Sequence, residues 1–383
     1  MNKHISLFAV LGAAALLTSC RPSVEKDEFV TLDFTRSYPE KQLTVQDFMD
    51  VEYVALETND EFITRGLLAD ISDHYIVMQN RVDEGDIFFF DRQTGRALWK
   101  FNRKGKGPGE YSSMMAVLLD EKRGELFVND NGSRKIHVYD IHGEHKRSFS
   151  YPEKAQFIYM YNFDDDNLIF YNIDGLFSNG EKREGRTFQI VLSKDDGSVT
   201  DNIFIPFDLI RSPVIIHDGN PLVLILHVID PYRDGVLISD TSSDTIYHYT
   251  QQRELKPYMA KSPDHADDFF LTTGVMTRDY SFMEVNKREY NQGQGFPQTT
   301  LLYDRKEQAL YTPEVINADW PDGNKVSMFA NVFNRDVTVV ETLDAADLVE
   351  ALDEGKLQGS LLEIATRLTE DDNPVLMIMK EKK

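Results

Sequence analysis

A single cysteine, Cys20, occurs in the 383 residues, so no disulfide can form within the chain and packing alone has to hold the fold. Basic residues are outnumbered: 41 Lys and Arg stand against 64 Asp and Glu, a net charge of −23. Such a surface repels nucleic acid and anionic lipid headgroups, which removes nucleic acid from the expected partners. After residue 20 no apolar run approaches the roughly 20 residues of a membrane-spanning helix. Helical periodicity is also missing until the C-terminal part of the chain.

The familiar catalytic signatures are missing too. There is no Gly-x-Ser-x-Gly elbow, and the lone cysteine has another use, so acyl transfer has no visible nucleophile. The glycine-rich stretch Gly105 to Gly109 is followed by no Gly-Lys-Ser/Thr, and Pro108 removes a backbone donor that a phosphate cradle would use. Acidic clusters at 83–86, 164–167, 195–197 and 370–372 lack the alternating spacing of a calcium loop and read as solvated turns. His142 and His145 have no zincin-type glutamate beside them. His137 and His248 occupy neighbouring slots in matching strands, for which packing is the simpler account. Neither a cofactor nor a metal-ligand set is expected.

What is present starts at the N-terminus. Lys3, an apolar run from Ile5 to Leu17 and the small residues before Cys20 form a secretory leader. Leu16-Leu17-Thr18-Ser19-Cys20 resembles a bacterial lipobox. That resemblance implies cleavage before Cys20 and lipidation of its thiol, leaving 40 of the 41 basic residues against 64 acidic ones, a net charge of −24. Arg21 is not the aspartate that retains many lipoproteins in the inner membrane, so the outer membrane is the expected address, in either leaflet. The chain divides into a signal peptide (1–19), a lipidated N-terminus and tether (20–43) and a single domain (44–383).

Within the domain, short β-branched and aromatic runs alternate with Gly, Asp and Asn turns. Glu125 to Asp130 and Ile136 to Asp140 form one strand pair, and Gly235 to Asp240 and Ile246 to Tyr249 another, with the same step between them. Looser copies are Tyr75 to Met78 with Ile87 to Phe90, and Leu168 to Tyr171 with Thr187 to Leu192. Ile87, Ile136 and Ile246 are spaced by about one and two units of the ~40–50 residues that one four-stranded propeller blade takes. The competing architecture is a β-sandwich. Leucines and alanines at helical spacing in 345–353 and 361–368, with Asp344 as a cap, predict two short helices packed on one propeller face.

Lys104-Gly105-Lys106-Gly107-Pro108-Gly109-Glu110-Tyr111 resembles the Gly-x-Gly-Pro-Gly-Glu-Tyr stretch of the six-bladed, NHL-like β-propeller lipoproteins of Bacteroidetes. Val51 to Thr58 looks like that family's opening strand and Glu370 to Leu376 like its closing one. The likeness covers about residues 44–379 and departs in a charged insertion at 172–186. It implies an all-β fold, a six-bladed propeller closed by its N- and C-terminal strands with short C-terminal helices, and no catalytic set. In the motif itself, Gly105, Gly107, Pro108 and Gly109 read as a tight inter-blade turn that Glu110 and Tyr111 pin from inside. Asp244-Thr245-Ile246 is similar to a short O-glycosylation signal and equally to a plain turn.

Two functional readings follow. One is a non-enzymatic binding or scaffold propeller, tethered to the membrane by its lipid and engaging an envelope protein or glycan through its loops. The other is a metal-assisted hydrolase or lyase of lactonase type, whose ligands would converge on the central channel from separate blades and leave no local spacing to recognise. For the anchor itself, Cys20→Ala is expected to release the body from the membrane fraction or to block processing. Membrane retention of a normally cleaved variant overturns it.

Overall fold

The computed structural model describes residues 30–33, 36–64, 67–80, 84–261, 269–323, 325–329 and 339–382. Cys20 and the leader lie outside the described residues, as do residues 20–29 of the expected tether and His265. The strands form six sheets arranged as propeller blades, together with one small hairpin. From the axis outward, blade 1 comprises Leu67–Ile71, Tyr75–Gln79, Asp86–Asp91 and Ala97–Asn102. Blade 2 comprises Met114–Asp120, Glu125–Asp130, Lys135–Asp140 and His145–Ser150. Blade 3 comprises Phe157–Asn162, Asn167–Asn172, Gln189–Ser193 and Val199–Ile203.

Blade 4 runs Ile229–Tyr232, Gly235–Ile238, Thr245–Thr250 and Leu255–Lys261. Blade 5 runs Phe269–Met276, Tyr280–Lys287, Gln298–Asp304 and Ala309–Ile316. Blade 6 joins Val339–Leu343, Val375–Glu381 and Met49–Ala55. Ile87, Ile136 and Ile246 fall in the third strands of blades 1, 2 and 4, so the spacing in the sequence is the blade repeat. The 172–186 insertion lies between the second and third strands of blade 3.

Six hydrophobic cores, one in each gap between neighbouring blades, explain why the middle strands read as unbroken apolar runs. Side chains alternate across a sheet, and here both faces are covered. Ile87 and Phe89 join the core shared with blade 2, while Phe88 and Phe90 join the core shared with blade 6. The outer strands see solvent on one side and carry polar residues: in His145–Ser150 the one buried residue is Phe149. A sandwich has one such core between two sheets; a ring of six cores is a closed propeller.

Closure is made by pairing the ends of the chain. Val375–Glu381 lies antiparallel to Met49–Ala55, from Val375 opposite Ala55 to Glu381 opposite Met49. At the start of this strand the buried Asn373 donates from Nδ2 to the carbonyls of Glu57 at 2.8 Å and Phe62 at 2.7 Å, and its Oδ1 accepts from Thr64 N at 2.9 Å. Two further strands precede Met49 and lie within or at the edge of the expected tether. Val30–Leu32 adds a parallel fifth strand to the outside of blade 4, and Glu40–Thr44 does the same for blade 5.

The helices differ from the expectation in position. Helix α1, Val45–Phe48, leads into blade 6. Helix α2, Ala345–Asp353, starts at Asp344, whose carboxylate accepts from Ala346 N, and helix α3 spans Gly359–Ala365. Leu348, Ala351, Leu361 and Ala365 are buried in the core between blades 5 and 6, so α2 and α3 fill the wedge between two blades rather than cap a face. The reason is room: blade 6 has three strands among the described residues, and α3 packs on the outermost, Met49–Ala55.

Truncation before Asn373 is expected to unfold the whole body, since it removes a central strand of blade 6. Asn373→Ala leaves that strand in place but orphans three backbone groups, and is expected to cost about 2–4 kcal/mol in urea unfolding. An unchanged midpoint for either variant overturns closure by this strand.

Candidate functional site

In an up-and-down blade, the inter-blade connection and the loop between the second and third strands open on one face. The other two turns open on the opposite face. Here the first face carries the long segments: the Gly-Pro-Gly loop, the 172–186 insertion, the 204–228 connection and the 288–297 loop. The innermost strands of blades 1 to 5 surround a central cavity of about 660 Å³.

The Gly-Pro-Gly loop joins blade 1 to blade 2 and stays away from the cavity. Gly105 N donates to Tyr111 O at 3.0 Å and Tyr111 N to Arg103 O at 3.1 Å. Glu110 Oε2 accepts from Gly107 N at 2.7 Å, and the fully buried Tyr111 donates to Gly85 O at 2.5 Å. Gly109 has a φ of +73°, and a Cβ there would meet the His145 ring at 2.6 Å; at Gly105 a Cβ would stand 1.9 Å from the Glu110 carboxylate. Most of these bonds tie the loop to itself, while Tyr111 ties it to blade 1 and Gly109 O accepts from Tyr139 of blade 2; Glu110, expected inside the fold, is exposed. His137 and His248 also lie off the axis. The His137 ring contacts Ser148 Oγ at 2.7 Å, and His248 lies 3.4 Å from Asp234.

The cavity wall is where the unexplained chemistry is. Asp70 is buried in the inner strand of blade 1, and its two oxygens accept from Ile71 N at 2.8 Å and, across the gap, from Leu119 N of blade 2 at 2.6 Å. Burial outweighs those bonds and pushes its pKa up to about 7. Lys194, 2% exposed, pairs with Asp120 at 2.6 Å and donates to Asp164 O at 2.8 Å. On the side of blades 3 to 5, Tyr161 Oη lies 3.3 Å from His227 Nδ1, and the His227 ring stacks on Tyr159 with centroids 4.2 Å apart. Thr273 of blade 5 donates to Asp230 Oδ2. Burial raises the Asp230 pKa to about 7 against that bond and lowers that of His227.

None of these residues belongs to a sequence motif, because the set is drawn from five blades. One signal was available: Asp70 in Leu-Leu-Ala-Asp-Ile and Asp230 in His-Val-Ile-Asp-Pro are charges inside otherwise apolar strands. Among the described residues no group of three or more His, Cys, Asp and Glu is placed to hold a metal ion.

A second feature borders the cavity. Of the ten exposed large hydrophobic residues among the described ones, six are Phe177, Phe204, Leu209, Ile216, Val223 and Ile225, all on the 172–186 and 204–228 segments. The hairpin of Val214–His217 and Asn220–Val223 reaches toward blade 5, where His217 meets Tyr290 at 5.0 Å between centroids. Arg183 holds the two segments together. Its buried guanidinium lies 3.5 Å from the centre of the Phe204 ring and donates to the carbonyls of Ile205 and Arg186.

The Asp230 carboxyl has a testable effect on stability. Its pKa is raised above the roughly 3.9 of an unfolded aspartate, so the folded state holds a proton that the unfolded state has released. Its contribution therefore falls as pH rises from about 4 to about 7 and is level beyond. Asp230→Asn is expected to flatten that window, so that the variant gains on the parent protein between melts at pH 5 and pH 8. A constant difference at the two pH values overturns the assignment.

No curated protein matches the chain. Among solved structures, a Bacteroides fragilis protein assigned as exported superposes with a TM-score of 0.62 at 15% identity, covering 93% of this chain and 100% of that one. At that identity the likeness shows the fold alone. A DUF4221 member from Bacteroides vulgatus gives 0.48 at 10% identity, covering 88% and 99%, and BamB from Moraxella catarrhalis gives 0.38 at 14%, covering 86% of each chain. Neither of these two carries an argument. A family defined as a domain of unknown function, DUF4934, matches residues 29–380, which takes in all six blades and the strand pair that closes the ring: the chain belongs to the DUF4934 family.

Proposed function

We propose that this protein is an envelope lipoprotein, anchored through Cys20 in the outer membrane, that serves as a non-enzymatic docking module for another envelope protein. The leader ending in Cys20 supports the anchor, and the exported assignment of the Bacteroides fragilis protein agrees with that location. The observation that carries the docking role is the apolar rim. Phe177 is 71% exposed, Ile216 67% and Ile225 59%, and all three stand on segments longer than blade connection requires. Contiguous exposed apolar surface is costly in a soluble body and marks an interaction site.

The rim's composition favours a protein over a glycan. Four of its six residues are aliphatic, whereas sugar faces are held by aromatic platforms ringed with polar groups. The two segments are also held in place by the Arg183 contacts, so little ordering cost falls on association.

The test is the doubly substituted Phe177→Ser, Ile216→Ser protein, compared with the parent in cells by site-specific crosslinking from position 225. The parent is expected to give a discrete crosslinked protein adduct that the variant loses, while both melt at the same temperature. A parent that forms no adduct, or a variant that keeps it, overturns the docking role. Metal-dependent turnover of a lactone, ester or glycan that chelation abolishes would favour the enzymatic alternative.

A further inference from the structure

The central cavity meets the rim at Ile225 but has a chemistry of its own, and the buried side-chain atoms of its lining that lack a partner among the described residues are all acceptors. Eight carboxylates and two lysines line it. The lysines are spent: Lys194 pairs with Asp120 and Lys122 with Asp165, each at 2.6 Å. Asp70 is occupied by its two backbone donors, and Asp164 is paired with Arg253 at 3.3 Å. Glu121 meets the His74 ring and Asp73 is exposed to solvent, which leaves two carboxylates in the wall. Asp230 is bonded to the Thr273 hydroxyl and Glu284 to the Asn286 amide at 2.9 Å. Among the described residues neither forms an ion pair.

The buried wall atoms that find no partner point the same way. Asn162 Oδ1 and Gln79 Oε1 both line the cavity unbonded, and both are acceptors. The Asn162 amide is oriented by its own donation to Leu119 O at 3.3 Å, which fixes the oxygen as the free end. A neutral ligand rich in acceptors would leave these oxygens unpaired, and an anion would meet uncompensated carboxylates. A quaternary ammonium would satisfy charge but no acceptor, and among the described residues no group of three or more His, Cys, Asp and Glu is placed to coordinate a metal ion. Tyr161, which also lines the cavity, is near enough to Asp230 for their charges to interact, and a tyrosine face attracts a cation by its quadrupole. His227, whose pKa burial lowers, adds no positive charge at neutral pH.

We propose that the channel of this propeller binds a small ligand carrying a primary ammonium, seated against Asp230 and Tyr161. The ammonium supplies three donors and one charge to a wall that offers acceptors and negative charge in excess. A cavity of this size admits a drug-sized molecule rather than an ion alone. The acidic lining concentrates cations at the channel, so binding weakens with salt.

The test uses benzylamine as the probe, with benzyltrimethylammonium as the cation without donors and benzyl alcohol as the neutral analogue, in calorimetric titration of the full-length mature protein at pH 7.5 and low salt. Benzylamine is expected to bind best and the alcohol worst. Asp230→Asn keeps the side-chain volume and is expected to weaken benzylamine roughly tenfold or more, the loss of a charge-assisted bond, while melting no lower than the parent at pH 8. The charge-matched surface variant Glu363→Gln is expected to bind as the parent does. Equal binding of benzylamine and benzyl alcohol, or unchanged affinity in a folded Asp230→Asn, overturns the proposal. Stoichiometric calcium binding that displaces benzylamine and is lost in Asp230→Asn overturns it in favour of a metal site.

Discussion

Everything in this molecule depends on each sheet having two buried faces. A four-stranded blade standing alone would expose one side of residues such as Phe88 and Phe90 or Ile87 and Phe89; it becomes stable only when a neighbour covers each side, and that demand ends only when the ring shuts. The antiparallel pairing of Met49–Ala55 with Val375–Glu381 is therefore a global constraint expressed in one sheet. With no disulfide available, the seven residue pairs of that ladder, together with Asn373, carry the job that a covalent link performs in other closed folds.

The ring has a cost at its centre. Innermost strands converge on the axis, where side chains cannot pack against another sheet, and the protein meets this by bonding across gaps. Asp70 reaches Leu119 N from one side and Asn162 reaches Leu119 O from the other; Asp230 and Thr273 do the same between blades 4 and 5. These polar clasps hold the channel open. They also leave carboxylates in a poorly solvated wall, where their protons are retained to near-neutral pH, and stability is exchanged there for a chemically defined cavity.

How much of this is legible in the sequence follows from what is local. The blade repeat is local: Ile87, Ile136 and Ile246 mark it because each is the second residue of its blade's third strand. The Asp344 cap and both C-terminal helices are local too. Their resting place in the wedge between blades 5 and 6 is not, since it depends on how many strands blade 6 has. The strands Val30–Leu32 and Glu40–Thr44 read as tether because the first is only three residues long and the second is mostly polar, and what makes them strands is a partner more than 200 residues away. The channel is the extreme case, with Tyr161, His227, Asp230 and Thr273 drawn from three blades and brought together by the ring alone.

Those two N-terminal strands set the order in which the molecule can be completed. Val30 pairs with Met259 and Glu40 with Thr312, so the segment made first can be seated only after the blades made late exist. A chain made from its N-terminus must keep these residues unpaired while blades 1, 2 and 3 form around their own short turns. Contacts of such sequence separation are slow to form. The last event in folding is then the wrapping of the leading segment around blades 4 and 5, and these two strands are the last to become resistant to proteases.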